Sequence, residues 1–280
     1  MTAPATGFDI FDCHHHVGDV RSFMPLTGDE DAPTEGEALA AERAARIAIM
    51  DAGGVRQAAV IPGHAYARAK GVVDTVAVND RIAAYRDARP DRFPVAIGIV
   101  EPTYEEAGLP ELDRCARHLG LAGISFHTRF QGVATDSPLV LDLVRRAAEL
   151  GLVPFVHALD GVPDEALWRA QAVARAVPDT TVVVLDPLSG VEHARQAPII
   201  GAETPNLVFD VSLCHHLMFV ESIVAAVGAE RVVFGSDHYS MMPSPSHVAM
   251  LDDIVASSLP EADKAAILAG TIRRVLHLDP

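Results

Sequence analysis

Residues 11–18 read FDCHHHVG, an apolar start followed by three consecutive histidines. An extended chain alternates its side chains between two faces, so His14 and His16 point to one side and His15 to the other. The same alternation predicts that Asp12 faces the side of His14 and His16, one layer deeper. Two imidazoles on one face can share an ion, so the position of this strand in the fold decides what the segment does.

Strand-like and helix-like segments alternate along the whole chain. Eight apolar, β-rich runs are predicted as strands, at 8–12, 57–63, 93–100, 121–127, 152–158, 180–186, 206–212 and 231–237. Most of them are continuous apolar runs, which are typical of parallel strands covered on both faces. Helical patterns separate them, at 35–54, 72–88, 105–120, 137–151, 163–177, 190–197 and 216–228, and two more follow at about 246–257 and 260–276.

Eight β/α units in 280 residues predict the α/β class and a single (β/α)8 TIM barrel that spans residues 1–280. A short acidic insertion around residues 20–36 is expected at the barrel mouth. An open doubly wound sheet is the alternative architecture. That fold normally has a glycine-rich phosphate turn after its first strand, and DCHHHVG is not such a turn.

Composition excludes several classes of partner. The formal net charge of −16 repels nucleic acid, so none is expected as a partner. No run approaches the roughly 18 apolar residues of a membrane span, and the start of the chain has no secretion signal. The 3 cysteines are far apart and form no pattern, which predicts a reducing, cytoplasmic location. A small molecule is the expected partner, and a homo-oligomer stays open.

Polar residues stand where the predicted strands end, which is where TIM barrels carry their active sites. Imidazole and carboxylate ligands together suit zinc, manganese, iron or cobalt. Taken singly, a strand-end histidine is an ordinary core residue and a strand-end aspartate an ordinary helix cap. Their recurrence at matching ends favours one shared site. These residues are His14, His16, His64, Glu101, His127, His157, Asp186, His215, His216, Asp237 and His238.

Five segments resemble the amidohydrolase superfamily, specifically its amidohydrolase-related (amidohydrolase 2) branch: FDCHHHVG, GISFHTRFQG, LVPFVHA, NLVFDVS and FGSDHYS. The resemblance runs from about residue 8 to 277. It implies a (β/α)8 barrel with one divalent metal ion, held by His14, His16, His157 and Asp237. Zinc is the first expectation, with manganese, iron and cobalt as alternatives. The resemblance also implies that Asp237 takes a proton from metal-bound water.

One position departs from the branch. Strand six usually ends there in histidine, within a segment like H-x-G-G, whereas this chain has LDPLSG with Asp186 in that place. An ionised aspartate donates no hydrogen bond and repels a developing oxyanion. Asp186 is predicted to act in the site, either as a general base or as an extra metal ligand. The alternative is a cap for the helix that begins near Ser189.

Four residues are predicted on the substrate side. Binuclear relatives carry a carboxylated lysine on strand four, and this chain has His127 there, so substrate contact is favoured over a second metal. His127 is also a candidate for polarising the scissile carbonyl. Arg129 is predicted to hold a substrate carboxylate by a bidentate bond. His64 and His215 are predicted to line the pocket.

The sequence is compatible with three functions. The first is a metal-dependent hydrolase, in which activated water attacks a small carboxylated lactone, amide or ring-cleavage product. The second is a non-oxidative, metal-dependent decarboxylase of an aromatic or muconate-type acid. The third is a metal-free barrel that only binds.

Overall fold

The structure of the 280-residue chain is a computed structural model that describes residues 7–17, 36–63, 70–239 and 248–278. The predicted acidic insertion around 20–36 lies almost wholly outside these ranges, and His64 lies outside them too. None of the described helices is long and apolar enough to cross a membrane.

Within the described residues, eight parallel strands follow one another around a single sheet in chain order, which confirms the predicted TIM barrel. The strands are β1 Phe11–Val17, β2 Gln57–Pro62, β3 Val95–Ile99, β4 Gly123–Phe126, β5 Val153–His157, β6 Val182–Leu185, β7 Leu207–Asp210 and β8 Val232–Val233.

Backbone hydrogen bonds close the barrel between the last strand and the first. The Cys13 N–H donates to the Phe234 carbonyl over 3.0 Å, and the His16 N–H donates to the His238 carbonyl over 2.8 Å. The Asp237 N–H donates to the His14 carbonyl over 2.9 Å. The chain just beyond β8 therefore runs against the histidines of β1.

Helices follow the strands on the outside of the barrel. The predicted helix start at Ser137 is confirmed, because its hydroxyl accepts the Val140 N–H as an N-cap. The helices are α1 Gly36–Gly53, α2 Val72–Asp87, α3 Leu109–Arg117, α4 Thr128–Gln131, α5 Pro138–Glu149, α6 Leu167–Ala176, α7 Val191–Glu203, α8 Leu217–Val227, α9 Ala249–Ala256, α10 Glu261–Ala265 and α11 Thr271–Val275. A π-helical turn, Ala266–Gly270, joins the last two.

The alternation of strand side chains divides the core into two apolar layers. One fills the barrel interior and includes Phe11, Cys13 and Phe155. The other lies between strands and helices and includes Phe126 and Phe209. Each large apolar side chain that is fully buried contributes about 1.5–3 kcal/mol, so both layers stabilise the frame that carries the strand ends.

The first strand differs from its prediction. It runs over Phe11–Val17 rather than 8–12, so the three histidines lie inside the strand and not behind it. Its register against β2 pairs Asp12 with Ala58 and His15 with Val60, so residues 13 and 14 share one partner position. This β-bulge shifts the alternation by one residue.

The bulge explains which side chains face the interior. Cys13 lies in the inner layer, and His14, the next residue, also points inward, towards His157. The expectation that Asp12 shares the face of His14 is wrong, because Asp12 pairs with His15 on the outer side of the strand. Without the extra residue, His14 would face the helices instead.

Candidate metal centre

Three histidine rings converge at the C-terminal mouth of the barrel. His14 and His16 lie on β1 and His157 ends β5, and all three are buried. Ligand atoms of the three rings lie within 4.8 Å of one another. The Nε2 atoms of His14 and His16 are only 2.9 Å apart.

Backbone carbonyls determine which nitrogen of two rings can bind a cation. His16 Nδ1 lies 2.8 Å from the Pro62 carbonyl oxygen, and His157 Nδ1 lies 3.0 Å from that of Phe126. A carbonyl only accepts, so both Nδ1 atoms carry the proton and both Nε2 atoms carry a lone pair. Both lone pairs are therefore available to a single cation.

Asp237 supplies a carboxylate to the same point. Its Oδ1 lies 3.3 Å from His14 Nε2 and 3.6 Å from His16 Nε2. Within the described part of the chain this oxygen accepts no hydrogen bond, although it is buried. Three imidazole nitrogens and one carboxylate oxygen are a ligand set that fits one divalent transition metal.

Tight packing explains the glycine that precedes this aspartate. A Cβ placed on Gly235 would lie 2.6 Å from the Cβ of His14 and would also meet the carboxylate of Asp210. Only glycine lets the chain pass so close to the ligand. Asp237 itself has a positive φ of 53°, a conformation that an aspartate adopts only at some cost.

The field at the centre is strongly negative. Burial lowers the pKa of His14, but the carboxylates of Asp237 and Asp186 outweigh it and raise the pKa to about 10. Burial raises the pKa of Asp186, and burial together with Asp186 raises that of Asp237 well above its usual range. A positive charge at this point therefore reduces the repulsion between carboxylates that are held close together.

Two residues that contact Nδ1 of His14, on the side away from the cluster, were not predicted from the sequence. His14 Nδ1 lies 2.9 Å from Asp210 Oδ2 and 2.9 Å from Ser212 Oγ. A carboxylate on the far nitrogen of a metal-binding histidine fixes the ring and strengthens it as a ligand. The available signal was the D-x-S spacing at the end of β7, which puts both side chains on one face.

The structure places Asp186 in this cluster. Its Oδ1 accepts a hydrogen bond from Ser212 Oγ over 2.9 Å and lies 3.8 Å from His14 Nδ1. The helix-cap alternative is wrong for its side chain, because Oδ2 of Asp160 accepts the Glu192 N–H in the first turn of α7. A general base or an extra ligand both remain predictions for Asp186.

Asp12 holds the bulge in place from outside. Its Oδ1 accepts the backbone N–H groups of His14 and Ser236, each over 3.0 Å. Its Oδ2 lies 2.7 Å from His15 Nδ1 and accepts the Ser236 hydroxyl. His15 then stacks against His238, with ring centroids 4.8 Å apart. One carboxylate thus joins the strand of His14 to the segment of Asp237.

His127 lies against the metal cluster. Its ring is stacked on that of His157, with centroids 3.8 Å apart and planes 8° from parallel. Its Nδ1 lies 2.6 Å from Oε1 of Glu165, a fully buried residue that the sequence reasoning missed. Arg129 is nearby, with its guanidinium over the ring of Phe130 at 4.5 Å.

Two further residues are predicted to line the pocket. His215 is exposed in the segment before α8. His64 lies outside the described residues. Both stay predictions for the substrate pocket.

Fold and site together define a TIM barrel with a buried histidine–aspartate cluster suited to a metal ion. The chain belongs to the amidohydrolase family, whose sequence profile matches residues 11–278. No curated protein matches it by sequence.

Solved structures with the same fold share little sequence with this chain. The 5-carboxyvanillate decarboxylase of Sphingomonas paucimobilis is 17% identical with a TM-score of 0.72, covering 97% of this chain and 100% of its own. The enzyme of Novosphingobium aromaticivorans, complexed with manganese and 4-hydroxy-3-methoxy-5-nitrobenzoic acid, is 16% identical with a TM-score of 0.72, covering 99% and 98%. A 2,6-dihydroxybenzoate decarboxylase complexed with 2,6-dihydroxybenzoate is 16% identical with a TM-score of 0.68, covering 100% of both chains.

Proposed function

We propose that this protein is a metal-dependent, non-oxidative decarboxylase of a small aromatic acid. One divalent ion would be held by His14, His16, His157 and Asp237. The convergence of their ligand atoms, with carbonyls anchoring the far nitrogens of two rings, supports this assignment. The hydrolase favoured by the sequence becomes the second candidate.

Zinc and manganese are the ions to test. The nitrogen-rich ligand set favours zinc. Manganese is named in the Novosphingobium decarboxylase structure and in that of a dihydroxybenzoic acid decarboxylase from Polaromonas. When bound, either ion supplies Lewis-acid charge stabilisation to the substrate's carboxylate and to an oxygen beside it.

The observation that carries the choice of reaction is the carboxylate at the end of strand six. Hydrolysis of an amide or lactone builds negative charge on the carbonyl oxygen, and donors must already point there. Asp186 offers an oxygen acceptor at that position, bonded to the Ser212 hydroxyl. Decarboxylation removes charge from the carboxylate instead, so it does not need that donor.

The proposed reaction needs a proton but no oxidant. The bond between the ring carbon and the carboxylate breaks, its electron pair stays on the carbon, and CO2 leaves. That carbon then takes a proton, which we assign to the imidazolium of His127 because of its place against the metal cluster. Water returns a proton to His127 afterwards. Arg129 would hold a second anionic group of the substrate.

Hydrolysis is favoured by one specific feature of the site. Oδ1 of Asp237 is buried at the metal position and accepts no hydrogen bond from the described residues, so it is placed to accept a proton from water. In that case Asp186 would assist as a base, and Asp186→Asn should lower the rate by about a hundredfold.

The deciding experiment follows both products at once. Protein loaded with zinc or with manganese is incubated in 18O-water with hydroxybenzoates, methoxybenzoates, muconate-type acids and lactones. Release of CO2 without 18O in the remaining organic product supports decarboxylation. One 18O atom per turnover with no CO2 overturns it in favour of hydrolysis. Purified protein that binds no metal and shows neither reaction supports the metal-free binding barrel.

A further inference from the structure

Glu165 is a buried carboxyl group with no role in the proposed reaction as described above. It ends the short 3-10 turn Pro163–Glu165, which follows β5, and its side chain is fully buried. Burial raises its pKa to about 8, against the effect of Arg129. A fold keeps so costly a group only where its contacts compensate.

Both contacts of this carboxyl group lead to predicted substrate-side residues. Oε1 lies 2.6 Å from His127 Nδ1 and accepts the backbone N–H of Arg129 over 3.1 Å. Oε2 accepts no hydrogen bond within the described residues and lies 3.9 Å from the Arg129 Nε. One side chain from the loop after β5 therefore contacts both His127 and Arg129, which lie just after β4.

These contacts fix the orientation of the imidazole. Oε1 is the accepting end of the carboxyl group because it already takes the Arg129 N–H, so the His127 Nδ1 carries the hydrogen that it donates there. The ring plane is fixed as well, since it lies flat on His157. Nε2 of His127 is then the nitrogen that exchanges a proton, and it cannot swap places with Nδ1.

The loop that carries Glu165 is anchored independently of its side chain. The carbonyl of Asp164 accepts both the backbone N–H and the hydroxyl of Thr135, each over 2.9 Å. The Thr135 and Thr128 hydroxyls are 2.7 Å apart. The loop should therefore keep its position when the carboxyl group is replaced, which makes a substitution informative.

We propose that Glu165 is a positioning residue that keeps a proton on Nδ1 of His127, so that Nε2 takes a second proton from water and the resulting imidazolium passes it from Nε2 to the substrate. This inference rests on the proposed function, and it moves the proton-handling histidine from strand six, where Asp186 stands, to strand four. Glu165 itself would touch neither the substrate nor the ion. Its effect passes entirely through the ring of His127.

Two substitutions distinguish the hydrogen bond between Glu165 and His127 from the charge of Glu165. Glu165→Gln keeps an acceptor oxygen for Nδ1, whereas Glu165→Leu fills the space without one. Glu111→Gln is the matched control, because Glu111 is a buried carboxyl group on α3 that bonds Asn79 and Arg114 rather than His127. All proteins are prepared with zinc, and their metal content is measured by elemental analysis.

The main readout is the ring of His127 itself. Its 15N chemical shifts report the tautomer in the zinc-loaded protein, with the signal assigned by its loss in His127→Asn. We expect the Nδ1-protonated pattern in the wild type, in Glu165→Gln and in Glu111→Gln, and a shifted or mixed pattern in Glu165→Leu. An Nε2-protonated ring in the wild type would overturn the proposal without any variant.

Kinetics supply the second readout, on whichever reaction the wild type performs. Glu165→Leu should lower kcat by about a hundredfold or more with KM within about threefold, while Glu165→Gln stays within about tenfold of the wild type. Equal losses in both variants, or a loss of metal, would contradict a positioning role. If the wild type turns over nothing, the proposed function fails, and the 15N pattern still decides whether Glu165 sets the tautomer.

Discussion

At the scale of single residues, His157 links the metal cluster to His127 on the substrate side. Its Nδ1 is anchored to a backbone carbonyl, its other nitrogen belongs to the cluster of His14 and His16, and its ring face supports His127. Removing this side chain should therefore empty the metal position and disturb proton transfer together.

We expect His157→Ala to lose bound metal and to turn over substrate at less than about one thousandth of the wild-type rate, since metal and geometry act together. The barrel should still fold, because its apolar layers are untouched. Elemental analysis, rate and far-ultraviolet circular dichroism check this. His118→Ala, at an exposed position, is the control. Full metal content in His157→Ala would remove His157 from the ligand set.

The raised pKa of Glu165 predicts a pH-dependent stability. The folded protein binds this proton with a pKa of about 8, above the ordinary value of 4.5, so folding favours the protonated form. The contribution is complete below about pH 4.5 and is lost as the pH rises to about 8. Glu165→Gln, which cannot ionise, should therefore gain about 3–4 kcal/mol in the free energy of unfolding relative to the wild type as the pH rises from 5 to 8.

Urea denaturation at several pH values measures this difference in the free energy of unfolding. Metal binding affects both proteins alike, so it cancels in the comparison. A constant difference from pH 5 to 8 would mean that the Glu165 pKa is ordinary.

At the scale of elements, the bulge in β1 turns a histidine towards the metal. Asp12 stabilises it with bonds to the backbone of His14 and Ser236. Asp12→Ala would leave buried donors without partners, so we expect a loss of about 3 kcal/mol in the free energy of unfolding and weaker metal binding.

Asp9→Ala is the matched control for this change. Asp9 lies just before the same strand, but its side chain is one-third exposed and pairs with Arg273, which is 11% exposed. Because water reaches the Asp9 carboxylate, its loss should cost less than that of Asp12, about 1 kcal/mol. If both variants lose the same stability and bind metal equally, Asp12 does not hold the bulge.

The start of α7 depends on a side chain from a different loop. Asp160, which follows β5, accepts the Glu192 N–H over 3.1 Å, and Gly190 provides no cap of its own. Asp160→Ala should cost about 1 kcal/mol in thermal or urea unfolding. Asp142→Ala, which removes only an exposed pair with Arg145, should be nearly neutral. A neutral Asp160→Ala would show that α7 starts without this cap.

The sequence alone predicts features that recur along the chain, such as the apolar strands. It does not predict contacts between residues that are far apart in the sequence. Continuous apolar runs located seven strands to within a few residues, but the histidines hid the length of β1 because they interrupt such a run. The bulge could not be read, since it exists only in the register with β2. Asp210 is 196 residues from His14, and Glu165 is 38 from His127, so their roles appear only in the closed barrel.

For the whole molecule, the question is how far the ion stabilises a barrel that already has two apolar layers. A ligand that binds only the folded state adds RT ln(1 + [L]/Kd), or about 2.7 kcal/mol at a hundredfold excess over Kd. In a chain of this size that is about 5–10 °C in Tm. Chelation should therefore lower Tm by this amount and leave far-ultraviolet circular dichroism unchanged, because the strands do not depend on the ion. His157→Ala is the control and should not respond to the chelator. An equal shift in that variant would mean that the stabilising ion binds somewhere other than this cluster.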